Sequence, residues 1–389
     1  MHDLSLNERD RRWKLVRESM KKRGLEALVV WGSFGRSGNY NANLRYLSNA
    51  RMEGYLVFPI AAEPELVTFS IHFRKPEQPW ITAFQAGHPA YSAAIAQRMR
   101  ELQAEKSGIG LVGLSGYYGE MGFPHAAYAA LVAALPEARF EDATDIVSGV
   151  RMIKSSEEIR CFETGCEIAN KVFETVANIA KIGAADSEVQ AGILDTLLKN
   201  GCDAESMVMY CSGKEIVHAG QGQSLQRVVK RLEMNDKILT EFDAKFLGYK
   251  AQHNQPFSVG IPDKEWSRLF AAAEKSFNSG FQALRPGITA GELDEAFLAP
   301  IAKAGYTREN PAFHGLGLSL EEPIGSFPMQ PSYRPDVATV MEAGMVLEFE
   351  PHVVTPDIKK GVHLGCPVIL TETGCRLLND KWQPEFKVV

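Results

Sequence analysis

The chain has no CxxC pair. Its six cysteines, Cys161, Cys166, Cys202, Cys211, Cys366 and Cys375, all lie beyond residue 150 of the 389 and are spaced singly. That argues against a zinc ribbon or a disulfide framework, and free thiols in a reducing cytoplasm are the expectation. No apolar run reaches the roughly 18 residues that a membrane helix requires. Basic charge is in deficit: 42 Lys and Arg against 48 Asp and Glu give a net charge of −6, whereas a nucleic-acid binder would show a basic face. The start, Met1-His2-Asp3-Leu4, is polar and then charged, unlike a secretory leader. Gly32-Ser33-Phe34-Gly35 is too sparse for a phosphate-binding glycine loop. A cytoplasmic protein that binds neither nucleic acid nor membrane is the expectation.

What is present is enough apolar residue, 45%, for two ordinary globular domains. A division near residue 150 is expected, with an α/β domain over 1–150 and a second domain over 151–389. In the first, a helical pattern from Asn7 to Lys22 closes at Gly24, and the apolar runs 25–31, 54–58 and 66–69 read as strands alternating with helices. In the second, Ser155 with Glu158 three residues on forms a capping box that starts a long helix. Further helices are expected over about 186–199, 264–284 and 290–303.

The second half also carries the chemistry. Phe313-His314-Gly315-Leu316-Gly317 sets an imidazole among glycines, where backbone can approach a ligand closely. Glu348, Glu350 and His352 alternate on one face of a strand, as do Glu241 and Asp243 on another and His363 and Gly365 on the last. If these faces converge, at least three carboxylates share one pocket and raise one another's pKa. Protonated histidines, a cationic substrate or a single metal ion could balance them.

These segments resemble the pita-bread peptidase family: creatinase, aminopeptidase P, prolidase and methionine aminopeptidase. The resemblance rests on the 313–323 glycine motif, the Glu342-Ala343-Gly344 turn leading to Glu350-Pro351, the helix entry at 151–159 and the Pro286-Gly287 link. It implies an α+β protein: an N-terminal α/β creatinase-type domain, then a pita-bread domain with a curved antiparallel sheet. It also implies a homodimer. The family holds two divalent ions on five side chains. Counted from the Gly248-Tyr249 turn, Glu241 takes the first aspartate slot and Gln252 the second, while His314 and Glu350 match the histidine and first glutamate. Gly365 falls in the final glutamate slot. Ser212-Gly213 through His218 resembles the segment that ends in a substrate-binding histidine, which in creatinase is the acid–base residue. Glu321-Glu322 stands where the family carries His-Glu.

With two slots lost, the leading expectation is a metal-independent, creatinase-like hydrolase with no cofactor, cleaving a C–N bond in a small polar or cationic molecule. In it His218 moves the proton, His314 donates to developing oxyanion charge, and Glu350 and Glu241 orient substrate or water. Asp243, His253, Glu321 and His363 are the expected substrate contacts. A divergent single-metal Xaa-Pro-type peptidase or lyase is the alternative, with Glu241, Asp243, His253, His314, Glu350 and His363 as its ligand set and a bulge after Tyr249 turning His253 inward. A non-catalytic binding protein of the same fold is the third reading.

Overall fold

The computed structural model describes residues 3–33, 42–69, 80–115, 122–221, 230–319, 322–325 and 337–389, with backbone alone for 323–325. The chain forms two compact units, Met1–Met152 and Ile153–Val389.

The first unit is a mixed six-stranded sheet in the order Ala83–Ala86, Glu65–Thr68, Gly54–Pro59, Ala27–Gly32, Gly108–Val112, Arg139–Asp142. The inner strand Ala27–Gly32 runs antiparallel to Gly54–Pro59 and parallel to Gly108–Val112. Leu28, Val29 and Val30 are fully buried, as an unbroken apolar run on an inner strand requires. The helix Leu6–Arg23 begins at Ser5, whose hydroxyl accepts from the Glu8 N–H, and ends at Gly24 in the left-handed region.

The second unit opens with the helix Ser156–Ile179, started by the reciprocal Ser155–Glu158 capping box. Its centre is the hairpin Lys237–Phe246 and Tyr249–Ser258. Leu247 and Gly248 join the strands, both at positive φ (49° and 91°), the backbone of a type I′ two-residue turn. The ladder stays in register from Phe246↔Tyr249 to Lys237↔Ser258. Period-two alternation then sends Glu241, Asp243, Gln252 and Asn254 to one face, and Phe242, Ala244, Ala251 and His253 to the other. The second face meets the long helix. A Cβ at Gly165 would lie 2.7 Å from both the Ala244 carbonyl oxygen and the Ala251 Cβ, so only glycine fits there.

Two further sheets carry the remaining polar strands. One has the order Glu322–Gly325, Phe313–Gly315, Val346–Phe349, Cys366–Leu370, Cys375–Leu377, and the other Thr307–Arg308, His352–Val354, Gly361–His363. Register pairs His314 with Glu348 and His352 with His363. Asn254 and Gly365 exchange backbone hydrogen bonds of 3.1 and 2.8 Å, which brings the polar face of the hairpin against these strands.

Candidate active site

Three buried glutamates meet where the hairpin, the Val346–Phe349 strand and the last strands converge. Glu350 is held at one oxygen: Oε2 accepts from Gln252 Nε2 at 2.9 Å and Asn254 Nδ2 at 3.1 Å. Its Oε1 faces His314 Nε2 at 3.4 Å. Glu241 Oε2 lies 3.3 Å from His218 Nε2 and 3.5 Å from His363 Nδ1. Burial alone would raise the Glu241 pKa, but the bonds to His218 and His363 outweigh it and hold this carboxyl well below the usual range. Glu348 differs. It is fully buried, and neither oxygen has a hydrogen-bond partner among the described residues. Burial, reinforced by the charges of Glu350 and Glu241, pushes its pKa well above the ordinary value.

The hydrogen bonds assign different tautomers to the histidines. His314 Nδ1 lies 3.1 Å from the Gly315 carbonyl, which can only accept, so Nδ1 carries the hydrogen and the neutral ring turns its Nε2 lone pair toward Glu350. His218 is the reverse. Its Nδ1 accepts from the Gly220 N–H at 2.9 Å, so in the neutral ring Nε2 carries the hydrogen, 2.8 Å from the Asn310 side-chain amide and 3.3 Å from Glu241 Oε2, and the Asn310 amide must then turn its oxygen toward it. His363 sits between two carboxylates, with Nε2 3.4 Å from Glu350 Oε2. Burial would lower its pKa, but Glu241 and Glu350 outweigh that and hold it at about 9, so at neutral pH it is an imidazolium clamped between them. His352 backs the group. Its Nε2 donates to the Val217 carbonyl at 2.7 Å, and its ring lies 4.8 Å from that of His363 and 5.1 Å from that of His218. Burial, with His363 and His218 adding to it, keeps His352 neutral.

The structure thus brings His218, Glu241, His314, Glu350 and His363 together. Asp243 shares the face of Glu241 but lies outside the cluster: its carboxylate accepts from the Met207 N–H and sits 3.9 Å from Lys250 Nζ. Burial raises its pKa to about 7 in spite of Lys250 and Lys245. His253 is turned away. The ladder has no bulge after Tyr249, so His253 stays on the helix side, donating from Nδ1 to the Ala251 carbonyl at 3.2 Å, with Asn379 Nδ2 3.0 Å from Nε2. The ligand set that included Asp243 and His253 does not assemble. Glu321 lies outside the described residues. Sequence alternation already places Glu348 with Glu350 and Asn254 with Gln252. That the two amides grip Glu350, and that Glu348 is left unpartnered, is visible only in three dimensions. Asn310, 2.8 Å from His218 Nε2, has no local signal in the sequence.

A two-ion cluster does not fit these residues. Gln252 is neutral and turns its NH2 to Glu350, and Gly365 has no side chain. A single ion does fit. His218, Glu241 and His363 each bring a ligand atom within 4.8 Å of the others. There, however, the hydrogen of His218 is on the inward nitrogen and both nitrogens of His363 face carboxylates, whereas a ligating histidine keeps its N–H on the outer nitrogen. His314 has that arrangement. Its Nε2 and Glu350 Oε1 are 3.4 Å apart, close to the spacing of about 3.4 Å between two donors of a tetrahedral ion with bonds of about 2.0–2.1 Å. A proton on Nε2 or a metal ion between the two atoms would satisfy both of them.

Two family models match the chain: Creatinase/Prolidase N-terminal domain over residues 12–153, and Metallopeptidase family M24 over residues 160–372. Among known proteins, the chain is similar to Xaa-Pro dipeptidases of Pyrococcus horikoshii and Pyrococcus furiosus. Each is 27% identical over 244 residues, covering 61% of this chain and 66% of the relative. The match therefore spans just under two thirds of those relatives' length. Among solved structures, an Xaa-Pro dipeptidase from Bacillus anthracis superposes with a TM-score of 0.78 at 20% identity, covering 98% of this chain and 100% of the other. Dipeptidase PepE from Mycobacterium ulcerans gives 0.78 at 21%, covering 100% of both. The fold is a creatinase-type N-terminal domain followed by a pita-bread domain. The expectation of a metal-independent, creatinase-like hydrolase with no cofactor is overturned: the matching family is one of metallopeptidases, which hydrolyse C–N bonds, and the relatives named above are Xaa-Pro dipeptidases. The match over residues 160–372 covers more than half of the chain, and the chain belongs to metallopeptidase family M24.

Proposed function

We propose that this protein hydrolyses an amide bond in a short peptide or peptide-like substrate, as a divergent Xaa-Pro-type peptidase that uses one divalent metal ion. The observation that carries this reading is the opposite orientation of two histidines on one carboxylate cluster: His314 bonds the Gly315 carbonyl through Nδ1 and turns Nε2 to Glu350, whereas His218 accepts the Gly220 N–H at Nδ1 and turns Nε2 to Glu241. Family membership and the named relatives support the peptide substrate. His314 and Glu350 would hold the ion, which would supply Lewis-acid polarisation of the scissile carbonyl. His218 retains 22% side-chain exposure, so a substrate can reach it. Its Nε2–H, braced by Glu241, is placed to donate to the leaving nitrogen. His363 fixes Glu241 and Glu350 in place and offsets their charge.

The test uses chelated protein reconstituted with zinc, manganese or cobalt and assayed on Xaa-Pro and non-proline dipeptides. Hydrolysis should require the metal, and His218→Ala should lower turnover by about a hundredfold to ten-thousandfold while the fold is kept. Folded, metal-loaded protein that cleaves no dipeptide would sink the reading, as would full activity in the chelated protein.

A further inference from the structure

We propose that Asn310 is the positioning residue of His218: its side-chain oxygen accepts the hydrogen on Nε2, and so fixes the direction in which that imidazole faces and the nitrogen that carries its hydrogen. This rests on the peptidase reading above and names the group that aims its donor histidine.

The first observation is distance. The Asn310 amide stands 2.8 Å from His218 Nε2, and Glu241 Oε2 stands 3.3 Å away. An N–H···O bond spans about 2.7–3.2 Å, so the short contact at this nitrogen is with the amide, while Glu241 acts on the ring through its charge. The second is the other ring nitrogen. Nδ1 accepts from the Gly220 N–H at 2.9 Å, which leaves the hydrogen of the neutral ring on Nε2, where only an oxygen can meet it. The bond made by one nitrogen of an imidazole sets the hydrogen on the other. Gly220 and Asn310 therefore select the same tautomer from opposite ends of the ring. The third is the origin of each hold. Gln221 Oε1 accepts from the Val217 and His218 N–H groups at 2.8 and 3.2 Å, so the backbone of His218 is tied locally, as is Nδ1. Asn310 comes from a distant part of the chain and ties the ring itself to the pocket. The fourth is that Asn310 is held in turn. It precedes Pro311, which favours extended backbone there. On one side Arg308 pairs with Val353 in the ladder, and both its terminal nitrogens meet the two carboxylate oxygens of Asp294. On the other, the Ala312 carbonyl accepts from the Glu350 N–H at 2.8 Å. Only Pro311 stands between that anchor and Asn310, so the amide that holds His218 is set in a fixed relation to the backbone of Glu350.

The experiment labels the histidines of the chelated full-length chain with nitrogen-15 and follows the Nε2–H resonance of His218 by NMR, identified by its loss in His218→Ala. In the wild type the resonance should be present at neutral pH, because a hydrogen-bonded N–H is protected from exchange with water. Asn310→Ala removes the acceptor and should lose it. Asn310→Asp keeps an acceptor in the same shape and should retain it, shifted downfield as a charged acceptor shortens the bond. The melting temperature of each chelated variant reports folding. Should alanine lower it, Asn310→Leu, of similar shape and without an acceptor, takes its place. In metal-loaded protein, turnover of Asn310→Ala on the dipeptide that the wild type cleaves should fall about tenfold to a hundredfold with KM changed by less than about threefold, since aim is lost rather than substrate contact. A resonance that persists in Asn310→Ala would overturn the proposal and leave Glu241 as the acceptor. A wild type whose hydrogen sits on Nδ1 would overturn it as well, as would loss of the resonance in Asn310→Asp. An Asn310-dependent resonance without cleavage of any dipeptide would sink the peptidase reading alone; cleavage that needs His218 but ignores Asn310→Ala would sink this inference alone.

Discussion

His253 is the imidazole that the sequence could not orient, and its actual position has a consequence in acid. Its ring is fully buried between Phe242 and Phe173, and burial lowers its pKa to about 4. The unfolded chain takes up this proton near pH 6.5 and the folded chain does not, so the unfolded state binds more protons between those values. Stability contributed by neutral His253 is full above about pH 6.5 and falls as pH drops to about 4, by about 3 kcal/mol in total. Denaturant unfolding at pH 7, 6, 5 and 4.5 should show this loss in the wild type and a shallower slope in His253→Phe. Equal slopes would mean that the ring does not stay neutral in the fold.

At the scale of elements, the hairpin shows what the sequence could and could not reveal. The turn expected at Gly248-Tyr249, which the structure makes at Leu247-Gly248, and strict alternation are enough to set Glu241 and Gln252 on the polar face. The same alternation excludes His253, and only an assumed bulge had brought it inward. Helix limits at 186–199 and 290–303 and the Ser155 capping box were readable because caps and glycine stops are local. Asn310 and the grip of the two amides on Glu350 were not, since they depend on which strands meet. Reading Gln252 and Gly365 as lost ligands led to a metal-free expectation. One sequence cannot show which side chains of neighbouring strands meet in the pocket. The other face of the hairpin makes its own prediction. Gly165 touches Ala244 and Ala251 at a distance no Cβ tolerates, and the backbone oxygen there cannot swing aside. Gly165→Ala should gain some helix propensity but lose more to overpacking, a net cost of about 1–3 kcal/mol. An unchanged denaturation midpoint would show that helix and hairpin are not in fixed contact.

For the whole molecule, every residue of the proposed ion site belongs to the unit Ile153–Val389, and none to Met1–Met152. A ligand stabilises what it binds in the native state and not in the unfolded one, by about 2.7 kcal/mol at a hundredfold excess over its dissociation constant. The effect should be regional, because amide protection reports local opening as well as global unfolding. Hydrogen exchange of metal-loaded against chelated protein should therefore show slowing in the strands that meet at the site: Tyr249–Ser258, Phe313–Gly315 and Val346–Phe349. Ala27–Gly32 and Gly108–Val112, at the centre of the other sheet, should exchange at unchanged rates. The pattern also discriminates between placements. An ion held by His314 and Glu350 protects the Phe313–Gly315 strand most, because it ties that strand to its neighbour. An ion held by His218, Glu241 and His363 protects the Gly361–His363 strand instead. Slowing spread evenly over both units, or absent from all these strands, would mean that no ion is bound at the place where the glutamates converge.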